Sequence, residues 1–174
     1  MLGARGNALQ NLGRNEEAIS SYDKALSIKT DYHYAWNGRG NALRNLERKE
    51  EAIASYDKVL ELKPDYHYAW GNRGNALGEL GRKEEAIANY DKAIEIQPDY
   101  YQAWYYRGIA LGKLGRRKEA FVSANKAAEI NPDFAMAQFQ GQMKQLLANM
   151  LQKLGWNKLS QVWTGLLKLI GYRK

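Results

Sequence analysis

The sequence predicts an all-α protein built from repeated helical hairpins, and three features of the chain carry that prediction. Tryptophan, glycine, alanine and tyrosine recur at intervals of 34 residues through most of the 174-residue chain. Within one interval, Trp70, Gly74 and Leu77 lie at i, i+4 and i+7, on one face of a helix. Prolines at the same period, Pro64 and Pro98 among them, mark the ends of helices. This combination is typical of a helical repeat array.

Five residue types keep the 34-residue period, each at its own position in the repeat. They are Trp36, Trp70 and Trp104; Gly6, Gly40, Gly74 and Gly108; Ala18, Ala52, Ala86 and Ala120; Tyr22, Tyr56 and Tyr90; and Pro64, Pro98 and Pro132. The small residues predict a close approach of two helices, and the aromatic residues are expected to fill the space between hairpins. Because one hairpin cannot bury its apolar face alone, neighbouring hairpins are expected to stack into a continuous core.

A turn is predicted between the two helices of each repeat. Gly13, Gly81 and Gly115 follow the first helix, at a position that favours a left-handed backbone conformation. Glu47 stands at that position in the second repeat. The apolar stripe of the second helix is formed in the third repeat by Ala86, Ile87, Tyr90, Ala93 and Ile94.

The pattern resembles the tetratricopeptide repeat (TPR), whose 34-residue unit has the form W-x2-L-G-x2-Y, then A, then A-x3-F, then P. The matching residues of the second unit are Trp36, Gly40, Leu43, Ala52, Tyr56 and Pro64. The resemblance covers residues 2–134. It implies a right-handed superhelix, or α-solenoid, whose first helices line a concave groove. It also implies a protein–protein interaction scaffold that binds a partner peptide or protein in that groove.

Four TPR units are expected, followed by a divergent helical cap. Their approximate bounds are 1–32, 33–66, 67–100 and 101–134, with the cap at 135–174. The first unit is truncated at its start, because Leu2 stands where tryptophan recurs. Either the natural protein starts abruptly or the chain is a fragment of a longer array, and the fragment is the preferred interpretation. In the fourth unit Ala124 replaces the recurring tyrosine. A capping helix with a polar outer face is expected first in the tail, because repeat arrays need one at their ends.

The tail, residues 135–174, is basic and amphipathic. It holds six of the 26 Lys and Arg residues and none of the 19 Asp and Glu residues, so the tail carries +6 of the net charge of +7. One apolar stripe is formed there by Trp156, Leu159, Trp163, Leu166, Leu167 and Ile170. Three roles remain open: capping the array, pairing with a second copy as a homodimer, or docking on an anionic membrane surface or acidic partner. Capping is the preferred interpretation.

Nine residues are the candidates for peptide binding in the groove. They are Asn7, Tyr34, Asn37, Asn41, Arg44, Tyr68, Asn72, Asn75 and Tyr105. The resemblance implies that an asparagine one residue after the packing glycine holds a peptide backbone or terminal carboxylate, and an amide offers both a donor and an acceptor. The tyrosines suggest aromatic contacts. The alternatives are that the asparagines are solvated and that Tyr34 and Tyr68 pack against the preceding hairpin.

A carboxylate clamp of the kind found in co-chaperone TPR domains is not predicted. The resemblance places its basic residues at Gly3 or Asn37, Tyr34 or Tyr68, and Gly38 or Asn72. None of these is Lys or Arg.

The recurring arginines have two interpretations, a ladder for phosphates or ion pairs between helices. They are Arg5, Arg39, Arg73 and Arg107. Nearby glutamates balance their charge, which favours ion pairs over nucleic-acid binding. The recurring aspartates, Asp23, Asp57 and Asp91, are expected to form a solvated face.

Several functional classes are not expected. The chain has no cysteine, and its two histidines, His33 and His67, lack the carboxylate or thiolate partners of a metal site. It contains no phosphate-binding loop, nucleophile elbow or zinc-protease motif, so no enzymatic activity and no cofactor are predicted. No signal peptide and no membrane-spanning run is evident, and a cytoplasmic location is expected.

Overall fold

The computed structural model describes residues 2–138, 140, 141 and 149, and every regular element among them is an α-helix. In chain order the helices are α1 (Leu2–Asn11), α2 (Asn15–Ile28), α3 (His33–Asn45), α4 (Lys49–Leu62), α5 (His67–Glu79), α6 (Lys83–Ile96), α7 (Tyr101–Lys113) and α8 (Arg117–Ile130). Residues 132–138 are also helical. The prediction of an all-α fold is confirmed for these residues.

The chain divides into two compact units, residues 1–130 and residues 131–174. In the first unit each odd-numbered helix packs against the even-numbered helix that follows it, which gives four hairpins. The predicted bounds of the four repeats each enclose one of these hairpins. Most of the predicted cap and the whole of the amphipathic stripe after Gly155 lie outside the described residues, so both remain predictions.

The turn inside each hairpin has the left-handed backbone that the sequence predicts. Gly13, Gly81 and Gly115 have φ between 75° and 81°, and Glu47 has a φ of 60°. The backbone amide of the residue that follows each turn residue donates a hydrogen bond to the carbonyl five positions before it, as from Arg82 N–H to Leu77 O at 2.9 Å. Glycine adopts this conformation without steric cost, so Glu47 is the strained member of the set.

In each of the first three hairpins, a glycine of the first helix packs against a tyrosine ring of the second helix. Tyr22 and Tyr56 are fully buried, and Tyr90 is nearly so. A Cβ atom placed on Gly40 would lie 2.5 Å from Cε1 of Tyr56, closer than any real contact. In the fourth hairpin, where Ala124 replaces the tyrosine, a Cβ on Gly108 would meet the backbone oxygen of Ala120 at 3.1 Å.

The recurring tryptophans join the second, third and fourth hairpins to the turns that precede them. The indole N–H of Trp36 donates to Thr30 O at 2.9 Å, and that of Trp70 donates to Pro64 O at 2.8 Å. Trp104 makes the same bond to Pro98 O. All three side chains are half-buried, so the buried aromatic volume between helices comes mainly from the tyrosines.

Three of the four recurring arginines form ion pairs between neighbouring hairpins, as predicted. Arg39, Arg73 and Arg107 lie 2.6–2.7 Å from carboxylate oxygens of Asp23, Asp57 and Asp91, respectively. A second guanidinium nitrogen of each arginine donates to the second helix of its own hairpin, as from Arg73 Nη1 to Asn89 Oδ1 at 3.1 Å. The three aspartates remain 44–52% exposed, as expected of a solvated face, and each is in addition the partner of an arginine in the next repeat.

The odd-numbered helices form the inner row of the first unit. Helices α1, α3 and α5 each come close to the next odd-numbered helix, whereas among α1–α8 no even-numbered helix comes as close to another even-numbered helix. Hairpins packed more closely along one row than along the other curve toward the closer row. We therefore call the exposed surface of α1, α3, α5 and α7 the inner face.

No helix within the described residues is long and apolar enough to cross a membrane.

Candidate binding surface on the inner face

Three of the candidate asparagines are oriented by the buried tyrosines of their own hairpins. Tyr56 O–H donates to Asn41 Oδ1 at 2.7 Å, and Tyr90 O–H donates to Asn75 Oδ1 at 2.9 Å. The hydroxyl of Tyr22 donates in the same way to Asn7 Oδ1 at 2.7 Å. The acceptor side of each amide therefore faces into the hairpin.

The outward side of these amides offers hydrogen-bond donors. Within the described part of the chain, the Nδ2 groups of Asn7, Asn41 and Asn75 donate no hydrogen bond. Burial raises the pKa of the Tyr22 hydroxyl to about 12 and also raises the pKa values of Tyr56 and Tyr90. These hydroxyls therefore stay protonated at neutral pH and keep the amides in this orientation.

Two further candidates pair with each other across neighbouring hairpins. Asn72 Nδ2 donates to Asn37 Oδ1 at 3.2 Å, from α5 to α3. Both side chains are half-buried. The pair leaves Asn37 Nδ2 as a donor and Asn72 Oδ1 as an acceptor. Together these two side chains can therefore donate one hydrogen bond to a partner and accept another from it.

A row of tyrosine rings runs along the starts of α3, α5 and α7, and we call it the aromatic row. It consists of Tyr32, Tyr34, Tyr66, Tyr68 and Tyr100. Neighbouring ring centroids in the row lie 5.4–6.1 Å apart in edge-to-face arrangements. Tyr34 remains 55% exposed and Tyr68 46% exposed. These two candidates therefore pack against neighbouring turns and present ring surface to solvent as well.

The two histidines support the aromatic row. The ring centroid of His33 lies 4.0 Å from that of Tyr34, and the His67 centroid lies 4.0 Å from that of Tyr68. Burial lowers the pKa of both histidines, which favours the neutral ring in these stacks. Among the described residues, no group of three His, Asp or Glu side chains is placed to hold a metal ion.

A recess of about 270 Å³ opens between α3, α5, α6 and α7, and we call it the basic recess. Two sequence candidates, Arg44 and Asn75, lie in its wall. The other polar wall residues are Glu79, Lys83, Tyr90, Tyr106 and Lys113. The structure thus brings Arg44 and Asn75 together although they come from different hairpins, while Asn7 and Tyr105 line neither the recess nor the aromatic row.

Sequence reasoning missed Lys83 and Lys113 as members of this surface, whereas Tyr106 was expected to make aromatic contacts. The ring of Tyr106 stacks on that of Tyr90 at 6.3 Å and lies 5.2 Å from the ring of Tyr105. Lys83 occupies the position of Lys49 in the previous repeat, so the 34-residue period presented it as an ordinary repeated lysine. These residues could have been found from the sequence by comparing the repeats and noting the positions at which they differ.

Comparisons with known proteins agree with this fold. Family models described as tetratricopeptide repeat match residues 33–66, 67–100 and 89–120, and a model described as TPR repeat matches residues 6–46. A search of curated protein sequences found no significant match.

Solved structures that resemble the chain are also TPR proteins. A crystal structure of MamA is 27% identical, with a TM-score of 0.71 over 78% of this chain and 79% of MamA. MamA from Desulfovibrio magneticus RS-1, from residue 41 to its end, is 23% identical, with a TM-score of 0.69 over 75% and 74% of the two chains. The first TPR of Spaghetti (RPAP3), bound to the HSP90 peptide SRMEEVD, is 24% identical, with a TM-score of 0.64 over 66% and 90%. The last two likenesses concern the fold alone.

Proposed function

Because this chain belongs to the tetratricopeptide-repeat family, we propose that it is a protein-interaction scaffold whose inner face binds an extended segment of a partner protein. The observation that carries the proposal is the orientation of Asn41 and Asn75. Their oxygens are held by Tyr56 and Tyr90, so their Nδ2 donors face outward at equivalent places in successive repeats. An extended peptide has backbone carbonyls that need donors, and an amide supplies them without reading the sequence.

The aromatic row and the Asn37–Asn72 pair support the same proposal. Tyr34 and Tyr68 combine exposed ring surface with positions held by neighbouring rings, so a partner can bury them at a small cost in side-chain entropy. Aromatic side chains of this kind often contribute most of the energy of a protein interface. The Asn37–Asn72 pair presents a donor and an acceptor beside them.

The proposed activity is binding without catalysis. TPR domains are typically interaction modules, and the inner-face residues described above are mainly amides, aromatic rings and cations, with one carboxylate, Glu79. A partner protein or peptide is therefore proposed, and the absence of a cofactor and of nucleic acid binding remain predictions from the sequence.

The alternative function, self-association or docking on an anionic surface through the C-terminal tail, rests on sequence alone. Lys158 and Lys168 flank its apolar stripe and lie outside the described residues. Binding through the tail would weaken steeply with salt and would be lost in a Lys158→Glu, Lys168→Glu variant. Binding to the inner face would survive that change.

A peptide-display experiment tests the inner-face proposal. Random peptides displayed on yeast are selected for binding to the full chain, and the enriched peptides are then measured against an Asn41→Asp, Asn75→Asp variant. Aspartate keeps an oxygen for the Tyr56 and Tyr90 hydroxyls but removes the outward donors. Losing two hydrogen bonds of about 1 kcal/mol each is expected to weaken binding by at least about tenfold.

The matched control places two negative charges on even-numbered helices, away from the inner face. A Ser20→Asp, Asn125→Asp variant changes exposed residues of α2 and α8 and is expected to bind as the unchanged chain does. Thermal melts establish that both variants remain folded. Equal binding by the two variants, with both folded, would contradict the proposal.

A further inference from the structure

The basic recess contains three cations and one carboxylate. Arg44, Lys83 and Lys113 line it together with Glu79, and the nearest contact between opposite charges is 4.0 Å, from Arg44 Nε to Glu79 Oε1. Within the described part of the chain, neither Lys83 nor Lys113 forms an ion pair. Arginine has five N–H donors, and a single long contact leaves most of them available. The recess thus has an excess of positive charge that its own walls do not neutralise.

Two differences between the repeats produce this recess. Gly78 stands where the second repeat has Arg44, so no side chain fills the space between α5 and α7. Gly81 stands where the second repeat has Glu47. In the second repeat Lys49 Nζ pairs with Glu47 at 2.5 Å. Without a carboxylate at position 81, the equivalent Lys83 has no such partner and is half-buried in the wall of the recess.

The uncharged groups of the recess also favour an anion that accepts hydrogen bonds. Asn75 turns its oxygen toward Tyr90, so its Nδ2 donor is the side available to a ligand. Tyr106 adds an aromatic wall that is partly exposed. A guanidinium, two ammonium groups and an amide N–H are donors without acceptors, the complement of a carboxylate. Glu79 opposes the entry of a doubly charged group more strongly than that of a singly charged one.

We propose that the basic recess binds a carboxylate group of the partner segment that lies on the inner face. This inference rests on the proposed function, because it takes the segment to run past Asn75. The carboxylate comes either from an Asp or Glu side chain or from the C-terminus of the partner. The cations of the recess stand at positions 44, 83 and 113, which differ from the positions 3, 34, 37, 38, 68 and 72 where a carboxylate clamp was considered and not predicted.

Peptide display with charge reversal tests this assignment. Random peptides are selected in two formats, one with a free C-terminus and one with the C-terminus fused to the display protein. The full chain is compared with a Lys83→Glu, Lys113→Glu variant. If a side chain supplies the carboxylate, the full chain is expected to enrich Asp or Glu at one position in both formats. If the C-terminus supplies it, enrichment is expected in the free format alone.

The charge-reversed variant has two expected results. It binds the peptides selected by the full chain at least about tenfold more weakly, a loss of about 1.4 kcal/mol, because two attractions become repulsions. In its own selection it enriches Lys or Arg where the full chain enriched Asp or Glu. A Lys24→Glu, Lys118→Glu variant, altered at exposed lysines of α2 and α8, is the matched control and is expected to keep the original preference.

A second variant fills the recess without changing its charge. A Cβ on Gly78 would lie 3.7 Å from its nearest neighbours, an ordinary contact, so Gly78→Met is expected to fold. Its side chain occupies the space of the carboxylate, and the selected peptides are expected to bind it at least about tenfold more weakly.

The outcomes separate this inference from the function on which it rests. If selected peptides lack acidic preference and bind all variants of Lys83, Lys113 and Gly78 equally, the carboxylate site is overturned. If those peptides still depend on Asn41 and Asn75, the inner-face function stands. If the full chain enriches no peptide in either format, the proposed function and the carboxylate site are both overturned.

Discussion

Replacing Tyr56 with alanine is expected to lower the free energy of unfolding by about 4 kcal/mol, as large aromatic truncations in well-packed cores do. The Tyr56 side chain is 0% exposed, its ring fills the space above Gly40, and its hydroxyl donates to Asn41 Oδ1 at 2.7 Å. The truncation leaves a cavity between α3 and α4 and removes that hydrogen bond. Chemical denaturation followed by helical circular dichroism measures the loss.

Tyr34→Ala is the matched control for this truncation. It removes the same side chain from the exposed end of α3, where the ring makes edge-to-face contacts and is 55% exposed. Its expected cost is about 1 kcal/mol, the value of an aromatic pair. Equal losses for Tyr34→Ala and Tyr56→Ala would contradict the assignment of Tyr56 to the core.

The second large effect is expected from a single added methyl group. Gly40→Ala is predicted to lower the free energy of unfolding by about 2 kcal/mol, in the range found for overpacked cores. The new Cβ would lie 2.5 Å from Tyr56 Cε1, and that ring is held by burial and by its hydrogen bond, so it cannot move aside cheaply. Thermal and denaturant unfolding of the variant measure the effect.

Two comparisons make the prediction for Gly40 specific. Gly112→Ala adds the same methyl group to α7 with its nearest neighbour, Ala120 Cβ, at 3.9 Å, and is expected to stabilise the chain by about 0.5 kcal/mol. The double variant Gly40→Ala, Tyr56→Ala is expected to lose less than the sum of the single variants, because the ring that clashes is absent. A destabilised Gly112→Ala or an additive double variant would count against direct packing of Gly40 on Tyr56.

The hairpins follow from the 34-residue period because each recurring residue has a local physical role. Glycine at position 81 meets the left-handed turn, and the pairing of Gly40 with Tyr56 sets how closely two helices approach. The burial of the tryptophans was less predictable. Trp70 has a polar N–H that must find a partner, and its bond to Pro64 O holds the indole at the surface of the hairpin.

The ion pairs of the recurring arginines illustrate a limit of sequence reasoning. Their existence was predicted from the charge balance, but the glutamates beside them in sequence are not their partners. Arg73 reaches Asp57, a residue of the preceding hairpin. Glu85 is instead paired with Arg82, three residues earlier, just before α6 begins. A spacing of 16 residues, from Asp57 to Arg73, becomes a contact only after the hairpins have stacked.

The basic recess was hidden from the sequence for a related reason. A period emphasises what the repeats share, whereas the recess arises where they differ, at Gly78 and Gly81. Arg44 and Asn75 were both candidates, yet nothing in their spacing placed them in one wall. The hydrogen bonds from Tyr56 and Tyr90 also depend on side-chain conformations, which decide whether an asparagine turns its donor or its acceptor toward a partner.

The most direct test of the inner face as the binding surface is an NMR measurement of side-chain amides. The chain is labelled with nitrogen-15 and titrated with a display-selected peptide. The Nδ2 resonances of Asn41 and Asn75 are expected to shift as the peptide binds, while backbone amides on the exposed surfaces of α2, α4 and α8 stay in place. Shifts confined to those outer helices or to residues 155–174, with both asparagine amides unchanged, would contradict the account.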